Sequence, residues 1–250
     1  MQLPSWLQRI PSVTRNLIII NVLIWIVEFV TGSFGDTLEN VLGLHFWGSE
    51  RFNPAQLLTY MFLHDNRSIM HIAFNMFTLW MFGRILEQVW GSRNFFIYYF
   101  VCGIGAAVVQ ELVWQFTWHH EYVDAIAQLN GLTSAQMDSI VSAHPAKFAD
   151  GMEMMKNAFL TVGASGAVFG LLLGFACVFP DMPMYLFFIP VPIKAKYMVI
   201  GYGILEFFLG VSGAQSSVAH FAHLGGLLFG LVMILYWKHK GTLHGNRFFY

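Results

Sequence analysis

Six stretches of this chain are apolar for too long to be loops, and polar segments part them. They run from about Leu17 to Val30, Ile69 to Phe82, Phe95 to Trp118, Ala158 to Phe179, Tyr197 to Val211 and Val218 to Trp237. A helix rises about 1.5 Å per residue and a bilayer core is about 30 Å thick, so the longer runs cross it outright. The first, second and fifth do so if extended or tilted. The pattern predicts an all-α membrane protein, a bundle of six transmembrane helices. Residues 33–56 read as polar and irregular, and 117–157 as a hydrophilic insert outside the membrane. Within the insert, Thr133-Ser134-Ala135-Gln136 has the form of a capping box, with Met137, Ile140 and Val141 on one face after it. Val123 with Ile126, and Phe148 with Met152 and Met155, predict further amphipathic turns lying on the headgroups. A Pro-rich connector, Phe187 to Pro192, precedes the fifth run. The first run is long for a signal sequence and Thr31-Gly32-Ser33-Phe34 is a poor cleavage site, so it is read as a retained span.

Two of the runs carry small residues at four-residue spacing. Gly166, Gly170 and Gly174 line one face of the fourth, and Ala222, Gly226 and Gly230 one face of the sixth. Such stripes let helices approach closely in a membrane. Beside each stands one reactive side chain, Ser165 next to Gly166 and His223 next to Ala222, so contact of the two faces sets a hydroxyl against an imidazole.

Composition supports the membrane reading and narrows the partners. Only 11% of the 250 residues are charged and 56% are apolar, against about 25% charged in a soluble domain. A net charge of −1 gives no basic footprint for nucleic acid. Cys102 and Cys177 lie in apolar runs without metal-type spacing and read as inert thiols. With the N-terminus inside, nine Lys and Arg residues fall on the cytoplasmic side (Arg9, Arg15, Arg84, Arg93, Lys194, Lys196, Lys238, Lys240, Arg247). Four fall outside (Arg51, Arg67, Lys147, Lys156), so both termini are expected in the cytoplasm. The even-numbered spans then start at the outer face. Counted from there, Ser165, His223 and Asn75 share a depth of roughly 8 to 10 Å, with His71 nearer the surface. Intramembrane polar groups face the protein interior and mark function.

A serine becomes a nucleophile when a base accepts its proton, and the resulting oxyanion needs preorganised donors. His71 and Asn75, one turn apart, offer an imidazole and an amide N–H, and the Ser165 backbone N–H is a third donor. Phe169, one turn beyond Ser165, is placed to stack on His223. No Asp lies at matching depth in spans two, four or six, which predicts a Ser-His dyad and not a triad. His220, nearer the surface, is the alternative base, or a metal ligand with His223, although the pair lacks a convincing third ligand. His119 and His120 read as polar loop residues, and Glu87 near Arg84 and Arg93 as cytoplasmic loop structure. Glu28, Glu111 and Glu206, toward the outer ends of spans one, three and five, form either a proton or ion path or bonds to neighbouring helices.

Thr59-Tyr60-Met61-Phe62-Leu63-His64, His71-Ile72-Ala73-Phe74-Asn75, Gly83 with Glu87 and Gly91, Gly163-Ala164-Ser165-Gly166 and Ala222-His223-Leu224-Gly225-Gly226 occur in that order. Together they resemble the rhomboid intramembrane serine proteases, from about Leu57 through Gly230 and interrupted by the insert. The resemblance implies a single membrane domain over 1–250 that hydrolyses peptide bonds in or beside transmembrane segments of membrane proteins. It implies Ser165 as nucleophile, His223 as base, His71, Asn75 and the Ser165 N–H as oxyanion hole, and Phe169 packed on the base. It implies no cofactor or metal, substrates with a helix-destabilised transmembrane segment, and a gate in the fifth span at Phe207 and Phe208. The expected location is a prokaryotic cell membrane. Ala55-Gln56 departs from a Trp-Arg pair that many members carry in the first loop, and the insert is long. Two readings from other classes stand beside this one: a transporter using Glu28, Glu111 and Glu206, and a non-catalytic chaperone for transmembrane helices. An H-E-x-x-H zinc motif and a pair of membrane aspartates are absent.

Overall fold

The computed structural model describes residues 10–185, 191–212 and 219–242. Most of the Pro-rich connector at 187–192, with Arg9, Arg247 and Val218, lies outside the described residues.

Helix α1 (Ser12–Thr31) ends at Gly32, whose φ of 53° breaks it from α2 (Ser33–Leu42). The polar 33–56 segment is thus partly helical rather than irregular, and Phe34 and Val41 of α2 lie exposed. Strand β1 (Leu44–His45), α3 (Gln56–Thr59) and a tight turn over Tyr60–Phe62 complete the long first connection. Gln56 organises it. Its Oε1 accepts the N–H of His45 and of Asn53, while its Nε2 donates to the carbonyls of Val41 and Arg51. The position that departs from the family pattern therefore still ties the loop together, with a neutral amide.

Helix α4 (Ile69–Thr78) runs through one wide turn (Leu79–Gly83) into α5 (Arg84–Trp90). Glu87 is buried here, not part of a loop: its carboxylate accepts from the backbone N–H groups of Val13 and Thr14 and from the hydroxyls of Thr14 and Ser92. The first N–H groups of α1 have no partner within their own helix, and an anion at that end satisfies them. Arg84 instead stacks over Trp80.

Helix α6 spans Ser92–Asn130, 39 residues. At about 1.5 Å per residue it far exceeds a bilayer core. It runs past Trp118, the expected end of the third span, because from there no Gly or Pro occurs until Gly131, whose φ of 64° closes the helix. His119 and His120 are accordingly helical, facing Asp138 and Asp124. The rest of the insert forms α7 (Ser134–Ala143) and α8 (Pro145–Ala158). The Thr133–Gln136 capping box is present, and Met137 and Val141 pack with Tyr122, Val123 and Ala127 of α6 in a small core of their own.

Strand β2 (Leu160–Thr161) pairs antiparallel with β1, Leu44 opposite Thr161 and His45 opposite Leu160. Helix α9 (Ser165–Val178) follows, so Ser165 opens its helix rather than sitting two turns inside it. Residues 159–163 are mostly apolar but not helical. Leu160 and Thr161 are paired with β1, and Gly163, at φ 129°, cannot continue a helix. Strands β3 (Pro183–Tyr185) and β4 (Pro192–Lys194) lead to α10 (Ala195–Ser212), and α11 (His220–Lys240) ends the described chain. Among the described residues, five segments are long and apolar enough to cross a membrane: α1, α4 with α5, α6, α10 and α11. Helix α9, with 14 residues, is shorter.

The core is built where the small-residue stripes meet. A Cβ on Gly226 would stand 1.8 Å from the Gly166 carbonyl oxygen, and one on Gly230 3.4 Å from the Gly170 Cα. Helices α9 and α11 therefore touch backbone to backbone. Gly166 and Gly170 also face Ala106 and Cys102 of α6, while Gly174 meets Trp90 and Tyr98 instead of α11. Tyr98 donates its hydroxyl to the Gly170 carbonyl at 2.8 Å, and Tyr60 to that of Gly103 at 2.7 Å. Both thiols are free, Cys102 buried and Cys177 half-buried.

Candidate active site

The two stripes bring Ser165 and His223 together, each in the first turn of its helix. His223 Nε2 lies 2.8 Å from Ser165 Oγ. The Phe169 ring stacks on the His223 ring, centroids 4.2 Å apart and planes 7° from parallel. Because Ser165 is the first residue of α9, its N–H has no acceptor within the helix.

His71 and Asn75 approach from α4. The Asp65 N–H donates to His71 Nδ1 at 3.2 Å, so the ring proton resides on Nε2. That nitrogen points at Gly163: a Cβ there would stand 2.9 Å from it. Gly163 is thus required twice, for its positive φ and for the room it leaves beside His71. The buried Asn75 gives one amide N–H to the His71 carbonyl at 2.8 Å and keeps the other. All five side chains, Ser165, His223, His71, Asn75 and Phe169, line one cavity of about 1190 Å³. That is larger than a typical small-molecule pocket.

The family model described as Rhomboid domain matches residues 51–240. The chain belongs to the rhomboid family. Rhomboid-like protein 11, chloroplastic, of Arabidopsis thaliana is 25% identical over 238 residues, a match that covers 86% of this chain. This chain in turn spans 64% of that relative's length. Family and apolar helices together make this rhomboid protein an integral, multi-pass membrane protein.

One neighbour of this rhomboid site was not found from the sequence. Glu206 of α10 is buried with His220 and His223 of α11. Its Oε2 lies 2.6 Å from His220 Nδ1 and 3.0 Å from His223 Nδ1. Counted inward from the outer end of the fifth run at Val211, Glu206 falls about five residues deep, the same level as His223. The other two acids each tether a connection: Glu28 accepts the His64 N–H at 3.4 Å and Glu111 the Trp47 N–H at 2.7 Å. Phe207 and Phe208 are exposed on α10, and it is Met198, Tyr202, Leu209 and Gly210 of that helix that line the cavity.

Proposed function

We propose that this rhomboid protein is an intramembrane serine endopeptidase that cleaves membrane-protein substrates in or near a transmembrane segment. The observation that carries the reading is the 2.8 Å approach of His223 Nε2 to Ser165 Oγ inside a cavity that also holds the donors of His71 and Asn75. Ser165 Oγ attacks the scissile carbonyl carbon while its proton passes to His223 Nε2. The oxyanion is met by His71 Nε2–H, the second Asn75 N–H and the Ser165 backbone N–H. Collapse breaks the C–N bond, and the departing amine takes the proton from His223. A water, deprotonated by His223, then attacks the acyl-enzyme and returns Ser165. Phe169 holds the imidazole plane throughout, and no cofactor or metal takes part.

The remaining assignments belong to the same proposal. The chain works as one rhomboid domain over 1–250 with six crossings, α9 being the short fourth. Both termini face the cytoplasm of a prokaryotic cell membrane, by the nine-to-four distribution of Lys and Arg. Substrates carry a helix-destabilised segment, since a peptide bond is reachable only once its helix has opened. Phe207 and Phe208 form the lateral gate a substrate helix meets. The transporter reading loses its support where Glu28 and Glu111 are occupied by loop N–H groups.

The test is cleavage of a transmembrane reporter in proteoliposomes, paired with mass spectrometry after a serine-directed phosphonate. Parent protein is expected to cut and to carry an adduct on Ser165, and Ser165→Ala and His223→Ala to do neither. Full cleavage by Ser165→Ala, or intact parent that neither cuts nor labels, overturns the assignment; the latter outcome leaves a helix-binding protein.

A further inference from the structure

We propose that Glu206 is a positioning residue for the base, completing a Ser165–His223–Glu206 array whose carboxylate comes from α10; this rests on the protease reading above. A carboxylate oxygen only accepts, so the proton on the His220–Glu206 bond sits on His220 Nδ1. The same oxygen faces His223 Nδ1 at 3.0 Å, off the line of its N–H, as an ion-pair partner rather than an aligned acceptor. An anion there favours the proton on Nδ1. The lone pair of His223 is then on Nε2, which is the atom 2.8 Å from Ser165 Oγ. The opposite tautomer could not receive the serine proton. When His223 takes that proton it becomes an imidazolium beside a buried carboxylate, and the charge is compensated where it forms. His220, hydrogen-bonded at 2.6 Å, holds the carboxylate between the two rings. The titratable groups around it are His220 and His223 on α11, with His71 across the cavity on α4.

The same three side chains form a candidate metal cluster, their donor atoms within 4.8 Å of one another. Their spacing argues for hydrogen bonding instead. Donors about 2.0–2.1 Å from a tetrahedral zinc stand about 3.3 Å apart, farther than the 2.6 and 3.0 Å observed.

The experiment measures kcat and KM of Glu206→Gln and Glu206→Asp in the full-length protein in proteoliposomes, with a thermal unfolding scan of each. Glu206→Gln is expected to lower kcat about 100-fold with KM unchanged, and Glu206→Asp to recover part of it. If Glu206→Gln does not fold, Glu206→Asp decides alone: kcat reduced at least about fivefold at constant KM supports the role. A kcat within about twofold of the parent, or a fall in kcat matched by an equal rise in KM, overturns it. So does activity that a chelator removes and zinc restores, which assigns the cluster to a cation. Parent protein that neither cuts nor labels at Ser165 fails the protease reading instead, and the two failures are thereby told apart.

Discussion

Helices α9 and α10 border the same cavity and are built in opposite ways. Ten of the 14 residues of α9 are buried, with backbone contact to α11 at Gly166 and Gly170. Only Ala195, Met198, Val199 and Glu206 are buried among the 18 residues of α10, while Ile200, Ile204, Phe208 and Val211 face outward. A nucleophile must be held to a fraction of an ångström, and a close-packed helix does that. A helix with few buried contacts is drawn from the low-stability end of the fold and is the one that can move. On the proposal above, the base is completed from the movable side: displacing α10 takes the Glu206 carboxylate away from His223 while Ser165 and His223 stay paired.

The largest test of this contrast is one substitution made on each side. Gly226→Ala drives a methyl into the Gly166 carbonyl oxygen, and neither backbone can yield without separating α9 from α11. It is expected to cost about 3 kcal/mol or more and to abolish cleavage. Gly201→Ala puts the same methyl on α10, where nothing lies within 4 Å. There the lower backbone entropy of alanine is expected to stabilise by about 0.5–1 kcal/mol. Equal effects of the two in an unfolding titration would remove the distinction between the helices.

At the site itself the next effect is smaller. Phe169→Ala keeps the Ser165–His223 bond but deletes the ring stacked on the His223 imidazole, the proposed base. Such a pair is worth about 0.5–1.5 kcal/mol, so kcat should fall by roughly two- to tenfold with KM little changed. Wild-type kcat in Phe169→Ala would mean that the glycine contact alone orients His223. On the loose side, Phe208→Ala removes an exposed ring. Stability should shift by no more than about 0.5 kcal/mol, while on the proposed gate role KM for a transmembrane substrate rises about fivefold. An unchanged KM would take Phe208 out of the gate.

What the sequence made legible follows the same division. Gly166, Gly170, Gly226 and Gly230 announced the α9–α11 contact because a small-residue stripe has one physical use in a membrane, and Ser165 and His223 came with it. Three things were not legible, each because a long-range contact overrode a local pattern. Residues 159–163 continue an apolar run, but β1 claims Leu160 and Thr161 and Gly163 stops a helix. Glu87 has the composition of a loop charge, but it is spent on the N-terminus of a helix 73 residues away in sequence. Glu206 reads alone as one of three membrane acids; only the pairing of α10 with α11 turns it toward His220 and His223.

The smallest expected effect sits at the connection that carries α10. Asp181 bridges Lys194 at 2.9 Å and Lys196 at 3.0 Å, pinning the β3–β4 pair beside the start of that helix. Hydrogen bonds from Lys194 and then Lys196 hold the Asp181 carboxyl below its ordinary range, and Asp181 in turn raises Lys194. A depressed carboxyl binds fewer protons in the folded state. Its contribution is therefore present above the unfolded value of about 3.9 and lost as pH falls through the lower folded one. That of Lys194 is present below about 10.4 and lost only as pH rises through its higher folded value. Both side chains are exposed, so the effect is local and weakened by salt. Amide protection of Met184 and Ile193, corrected for intrinsic exchange, should fall between pH 5 and pH 3 in the parent. In Asp181→Asn it should be low at both and indifferent to salt. Equal protection of the two proteins at pH 5 would show that β3 and β4 hold α10 through their backbone alone, and that the loose helix is anchored as firmly at its base without the charge.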